Sequence, residues 1–168
     1  MRNFRVSDES RHQEAIFSWC DYNRGRYPEL KLLYHVPNGG KRDAATARAL
    51  KRQGVKAGIS DLVLPVASAG YHGLYVELKA PGGSLEQSQI DFLQEVDNQG
   101  YLALVCVGWQ AAVQTLSVYL DGAEPEAQPL KTKSTPKEGT YYLALKTMRE
   151  GMKRAAEYAD QDTLLPAT

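Results

Sequence analysis

Asp61 is followed, after fifteen intervening residues, by Glu77-Leu78-Lys79, two carboxylates and an ammonium that a single hairpin could gather around one phosphodiester. In the run Leu74-Tyr75-Val76-Glu77-Leu78-Lys79 a strand's period of two sends Glu77 and Lys79 to one face and Val76 and Leu78 to the other. An apolar strand that ends in opposite charges on one face has two explanations. One is an ordinary edge-strand or cross-strand ion pair. The other is a metal site, because hard divalent cations take carboxylate oxygens and a neighbouring lysine can orient an attacking water as the ammonium or deprotonate it as the free amine.

The elements around these residues favour the second explanation. Asp61 closes Lys56-Ala57-Gly58-Ile59-Ser60 and opens the apolar run Leu62-Val63-Leu64, which puts its carboxylate at the mouth of a strand. Gly70-Tyr71-His72-Gly73 returns the chain into the Glu77 strand, so a hairpin brings Asp61 towards Glu77. Pro81-Gly82-Gly83 then breaks the strand, and Ser84 with Gln87 three residues on has capping-box spacing for a helix through Asn98. The apolar run Tyr101 to Val107 completes a βαβ unit with a parallel strand pair.

The succession Asn38-Gly39-Gly40, Gly58-Ile59-Ser60-Asp61-Leu62, Glu77-Leu78-Lys79-Ala80, Ser84-x-x-x-x-Gln89 and Gly100 before an apolar strand resembles the VRR-NUC domain, a branch of the PD-(D/E)XK nuclease superfamily. The resemblance runs from about Ser7 to Leu120 and implies a restriction-endonuclease-like α/β core, a mixed central β-sheet flanked by helices. It implies that Asp61 and Glu77 are metal ligands, that Lys79 is the catalytic lysine and that Gln89 has an active-site role. The family's first-helix Glu, followed four residues later by Gln, matches Glu9 and Gln13, with Glu14 as the competing choice. On this resemblance the expected activity is hydrolysis of DNA phosphodiesters with Mg²⁺ or Mn²⁺. Asp61, Glu77 and Glu9 would hold the ion, with the backbone carbonyl of Leu78 completing its shell. Small stand-alone members of the family in phages and bacteria resemble homodimers acting on branched DNA, so a four-way (Holliday) junction and a homodimer are expected. The alternative is a non-catalytic nucleic-acid- or protein-binding module on the same fold.

With 168 residues, 43% of them hydrophobic, the chain can bury one substantial core. Its 20 Lys plus Arg balance 20 Asp plus Glu, which argues against a polybasic DNA binder. Charge is nonetheless uneven: Lys31, Lys41, Arg42, Arg48, Lys51, Arg52 and Lys56 are opposed within their segment only by Asp43. Asn38, Lys41, Arg42, Arg48, Lys51, Arg52 and Lys56 are therefore the expected nucleic-acid contacts, the competing interpretation being a solvated helix face. Cys20 and Cys106 lack metal-site spacing and read as buried thiols. No apolar run approaches the roughly 18 residues of a membrane span, and the first residues lack a secretory signal's apolar centre, so a cytoplasmic protein without membrane partners is expected.

The remaining elements read as a helix from Glu9 to Asp21, a first strand from Leu30 to Val36 that delivers His35 to the site, and a last core helix from Trp109 to Leu120. His35 reads more naturally as a packing or hydrogen-bonding histidine than as a ligand, and His72 as exposed in its turn. Three parts are expected: a nuclease domain over 1–120, a polar linker over 121–140, and a helical tail over 141–168 carrying Tyr141, Leu143, Leu145, Met148 and Met152.

Overall fold

The computed structural model describes residues 8–37, 43–135 and 137–143, with side chains from Ser10 onward. The chain opens with helix α1 (Asp8–Asn23), whose Ile16 and Cys20, one turn apart, are buried, with Phe17 and Trp19 packed partly beside them. Pro28 follows, and it changes the expected first strand. Its fixed φ starts a 3-10 helix (Pro28–Leu32) in which Leu30 N–H donates to Tyr27 O. The strand expected from Leu30 onward is thereby reduced to the two-residue β1 (Tyr34–His35).

Helix α2 (Ala44–Arg52) is capped by Asp43, whose carboxylate accepts from the Ala45 and Thr46 N–H groups at 3.0 and 2.9 Å. Strand β2 (Leu62–Leu64) runs antiparallel to β3 (Leu74–Lys79), and β4 (Leu102–Val107) runs parallel to β3 after crossing over through α3 (Gln87–Asn98). Helix α4 (Trp109–Leu120) has no side-chain cap of its own; its Trp109 N–H donates to His12 Nδ1 at 3.2 Å. That bond sets the start of α1 beside the end at which β4 leaves the sheet.

The last described elements correct the sequence expectation. Within 121–140, read above as a polar linker, lies β5 (Gln128–Leu130), and Tyr141 and Leu143, read as helical, belong to β6 (Gly139–Leu143). Strand β6 pairs antiparallel with β4, Val105 against Tyr141, and the sheet order is β1-β2-β3-β4-β6-β5. The physical reason is twofold: β4 would otherwise present an unpaired edge, and Tyr141 and Leu130 bury with Leu85, Leu93, Val105 and Val107. Leu145, Met148 and Met152 lie outside the described residues.

The sheet has two covered faces. One carries Leu62, Leu64, Leu74, Val76, Leu78, Leu102, Leu104 and Cys106 against α1 and α4. The other carries Ala103, Val105 and Val107 against α3. By strand alternation Glu77 and Lys79 belong to the α3 side. Among the described residues no helix is long and apolar enough to cross a membrane.

Candidate active site

Extending the register Leu62↔Val76 by one residue sets Asp61 directly opposite Glu77 on the α3 face. The Asp61 carboxylate accepts the Leu78 N–H at 2.8 Å, so it continues the β2–β3 ladder where β2 itself has ended. Its backbone carbonyl accepts the Val36 N–H at 2.9 Å and lies 3.1 Å from His35 Nδ1. His35 thus steadies the Asp61 backbone from β1, in keeping with a hydrogen-bonding histidine. His72 is exposed, as expected, and rests edge-on against Tyr101 at 5.8 Å, beside the opposite end of β3.

Glu77 is fully buried. Its Oε1 receives Lys79 Nζ at 2.9 Å and a hydrogen bond from Gln89 Nε2. Its Oε2 is buried with no hydrogen-bond donor among the described residues, the facing Asp61 carboxyl being the group that couples to it. Burial pushes the Glu77 carboxyl up to about 8, the facing Asp61 charge adds to the rise, and the Lys79 ammonium opposes it. Two carboxylates directly opposed on one sheet face repel one another. An orphaned carboxylate oxygen beside a second carboxylate fits a hard cation, whose charge would remove both penalties.

Gln89 stands at the third position of α3, where its Oε1 accepts the Glu86 N–H at 2.8 Å. An N–H can bond only the amide oxygen, so the NH₂ group is left facing Glu77. The helix therefore starts from Glu86, two residues later than Ser84. Ser84 is engaged in a bridge with Ser134, and Leu85 N–H donates to Lys133 O at 2.8 Å.

Gly58 is a contributor whose role the spacing did not reveal. Its φ is +80°, and a Cβ there would fall 2.2 Å from Ser88 O, so only glycine lets the loop before Asp61 lie against the first turn of α3. The φ value belongs to three-dimensional packing, although Gly58 stands inside the motif that singled out Asp61.

Arg48, Lys51, Arg52 and Lys56 are all exposed, and α2 has no buried residue. A groove of about 750 Å³ between α2 and the start of α3 is lined by Lys51, Lys56, Leu50, Val55, Ser88 and Gln89. It brings Lys51 and Lys56 to the same groove as Gln89, whereas Arg48 and Arg52 stand outside its lining. Asn38, Lys41 and Arg42 lie outside the described residues, as does the Glu9 side chain. Glu14 is exposed beside β1, and no third His, Cys, Asp or Glu joins Asp61 and Glu77 among the described residues.

A mixed sheet thus brings together opposed carboxylates, a strand lysine and a glutamine presented by the following helix. The chain belongs to the VRR-NUC domain family, whose model matches residues 7–110. A solved VRR_NUC domain protein is similar to it at 26% identity and a TM-score of 0.60, over 72% of this chain and 94% of that one. No curated protein matches the chain.

Proposed function

We propose that this chain is a divalent-cation-dependent DNA endonuclease, with Mg²⁺ or Mn²⁺ as its cofactor. The observation that carries the proposal is the buried Glu77 Oε2, without a hydrogen-bond donor among the described residues, on the face it shares with Asp61, beside Lys79. Asp61 and Glu77 would hold the cation, joined by Glu9 and the Leu78 carbonyl; within a strand N–H and C=O of one residue leave on the same side, and the Leu78 N–H already points to Asp61. When bound, such a cation polarises a phosphate and lowers the pKa of its water.

The chain's own groups do the rest. Gln89 fixes the Glu77 carboxylate through Oε1, which leaves Oε2 for the ligand. Lys79, held 2.9 Å from that carboxylate, orients the attacking water as the ammonium or, after giving its proton to solvent, takes the water's proton as the neutral amine. Lys51 and Lys56 bind backbone phosphates in the adjoining groove, with Arg48 and Arg52 exposed on α2, and Asn38, Lys41 and Arg42 are proposed as further nucleic-acid contacts on the sequence alone. Recognition is by backbone charge and shape.

Family resemblance extends the proposal to branched DNA and a homodimer, because paired cuts across a symmetric four-way junction need two sites related by a two-fold axis. The test is cleavage of single-stranded, duplex, flapped and four-way DNA with Mg²⁺, Mn²⁺ or EDTA, alongside light scattering. Metal-dependent nicking that EDTA abolishes is expected. Absence of nicking with either metal on every DNA would leave a binding module, and a monomer that cuts junctions no faster than linear duplex would remove the paired-cut extension.

A further inference from the structure

Two parallel rows of side chains cross the α3 face of the sheet. One runs Asp61–Glu77–Val105, the other Tyr34–Val63–Tyr75–Ala103, two residues along each strand. Residues two apart on a strand point the same way, so the aromatic row shares its face with the carboxylates. At its inner end the row is closed, since Tyr75 packs edge-on against Phe92 at 5.7 Å and Tyr101 at 5.3 Å. At its outer end Tyr34 is 49% exposed on the sheet's edge strand, and its hydroxyl has no hydrogen-bond partner among the described residues.

Helix α3 packs over β3, β4 and β6, and the loop through Gly58 lies against its first turn, so the part of this face that α3 leaves uncovered is the β1–β2 side that carries Tyr34. Two residues along a strand and one strand across set the Tyr34 and Asp61 Cα atoms roughly 8 Å apart. A phosphate held at the carboxylate pair therefore has its neighbouring nucleotide within reach of the Tyr34 ring. In a duplex the base faces are closed by stacking, so only an unstacked base presents a π face to a protein ring.

We propose that Tyr34 is a stacking residue for an unpaired base flanking the scissile phosphate, and hence that the preferred substrate is DNA unpaired at the cut. This rests on the nuclease function proposed above and names its substrate class. The exposed ring, the shared face and the nearness to Asp61 all follow from strand register, and the exposed cations Lys51 and Lys56 complement the phosphates of such a strand.

The experiment places 2-aminopurine at successive positions around the cut in flapped DNA, with Ca²⁺ in place of Mg²⁺ for the binding measurement. Quenching at one flanking position is expected with the wild type and with Tyr34→Phe. Tyr34→Ala and Tyr34→Leu should lose it, the second variant keeping apolar bulk without a π face. With Mg²⁺ the Ala variant should lower the ratio of flap to duplex cleavage about tenfold. Wild-type quenching in both Ala and Leu variants, or an unchanged ratio of flap to duplex cleavage, would overturn the assignment. A wild type that quenches but cuts nothing would refute the nuclease function and keep the base contact; a wild type that cuts without quenching would do the reverse.

Discussion

Gln89 joins the first turn of α3 to the buried carboxylate of Glu77, spending its amide oxygen on the Glu86 N–H and its amide nitrogen on Glu77 Oε1. Helix start and candidate-site geometry are thereby one arrangement. The fully buried Glu77 cannot turn its free oxygen away from Asp61 while both Gln89 and Lys79 hold the other.

Replacing Gln89 separates its two functions. Gln89→Glu keeps an acceptor for the Glu86 N–H but loses the amide donor and brings a third carboxylate to Glu77 and Asp61. Thermal stability should stay near wild type, and Mn²⁺ affinity by calorimetry should change by a factor of about 10–100, the range for groups that orient metal ligands. Unaltered affinity and cleavage would remove Gln89 from the site.

Glu77→Ala and Lys79→Ala should each abolish detectable cleavage with the fold retained. In the lysine variant the buried Glu77 can meet the loss of its partner by taking up a proton, since its carboxyl already stands raised to about 8. Circular dichroism and a nicking assay on the same preparations check both halves.

The raised Glu77 carboxyl fixes the sign of a pH effect in EDTA. A folded-state value near 8 against an unfolded 4.5 means that the native protein binds the extra proton between these limits. This contribution to stability is full below about 4.5 and is lost as pH rises through 8. Melting temperature should therefore fall across that window, and Glu77→Gln, which cannot titrate, should flatten the fall.

On the proposed function the groove cations should set the salt dependence of DNA binding. Lys51→Ala/Lys56→Ala should bind duplex DNA more weakly, with a slope of log affinity against log salt shallower by roughly 0.9 for each lost phosphate contact. An unchanged slope would return both residues to a solvated helix face.

Gly58 and Gly54 make a controlled pair. Both have positive φ, +80° and +91°, but a Cβ at Gly54 meets nothing within 4 Å whereas one at Gly58 collides with Ser88 O. Gly54→Ala should cost about 1 kcal/mol from backbone strain alone. Gly58→Ala should cost more in urea unfolding and should slow cleavage, because the loop leading to Asp61 must lift from α3.

The sequence exposes the parts of this site that depend on short-range geometry. Asp61, Glu77 and Lys79 share a face because alternation in a strand is local, and the βαβ crossover follows from one turn and one helix. The errors fall where a distant segment decides. Ser84 has the chemistry of a helix cap, but Ser134, fifty residues later, engages it. Tyr141 fits a helical pattern until the open edge of β4 claims it through Val105. Pro28 was visible in the sequence, but whether it ends a helix or begins a 3-10 turn depends on Leu30 finding its place in the core.

The hairpin and crossover that carry Asp61, Glu77, Lys79 and Gln89 also bear on how the molecule assembles. These residues fall within 61–89, a span closed by one hairpin turn and the first turn of one helix. Pairing Asp61 with Glu77 closes 16 residues of chain whereas pairing Val105 with Tyr141 closes 36, a difference of about 0.7 kcal/mol in closure entropy that favours the first. Folding kinetics should thus find the Asp61–Glu77 pairing among the early long-range contacts, formed before the β5–β6 edge docks, so that the chemically expensive part of the protein is built first on its least expensive topology.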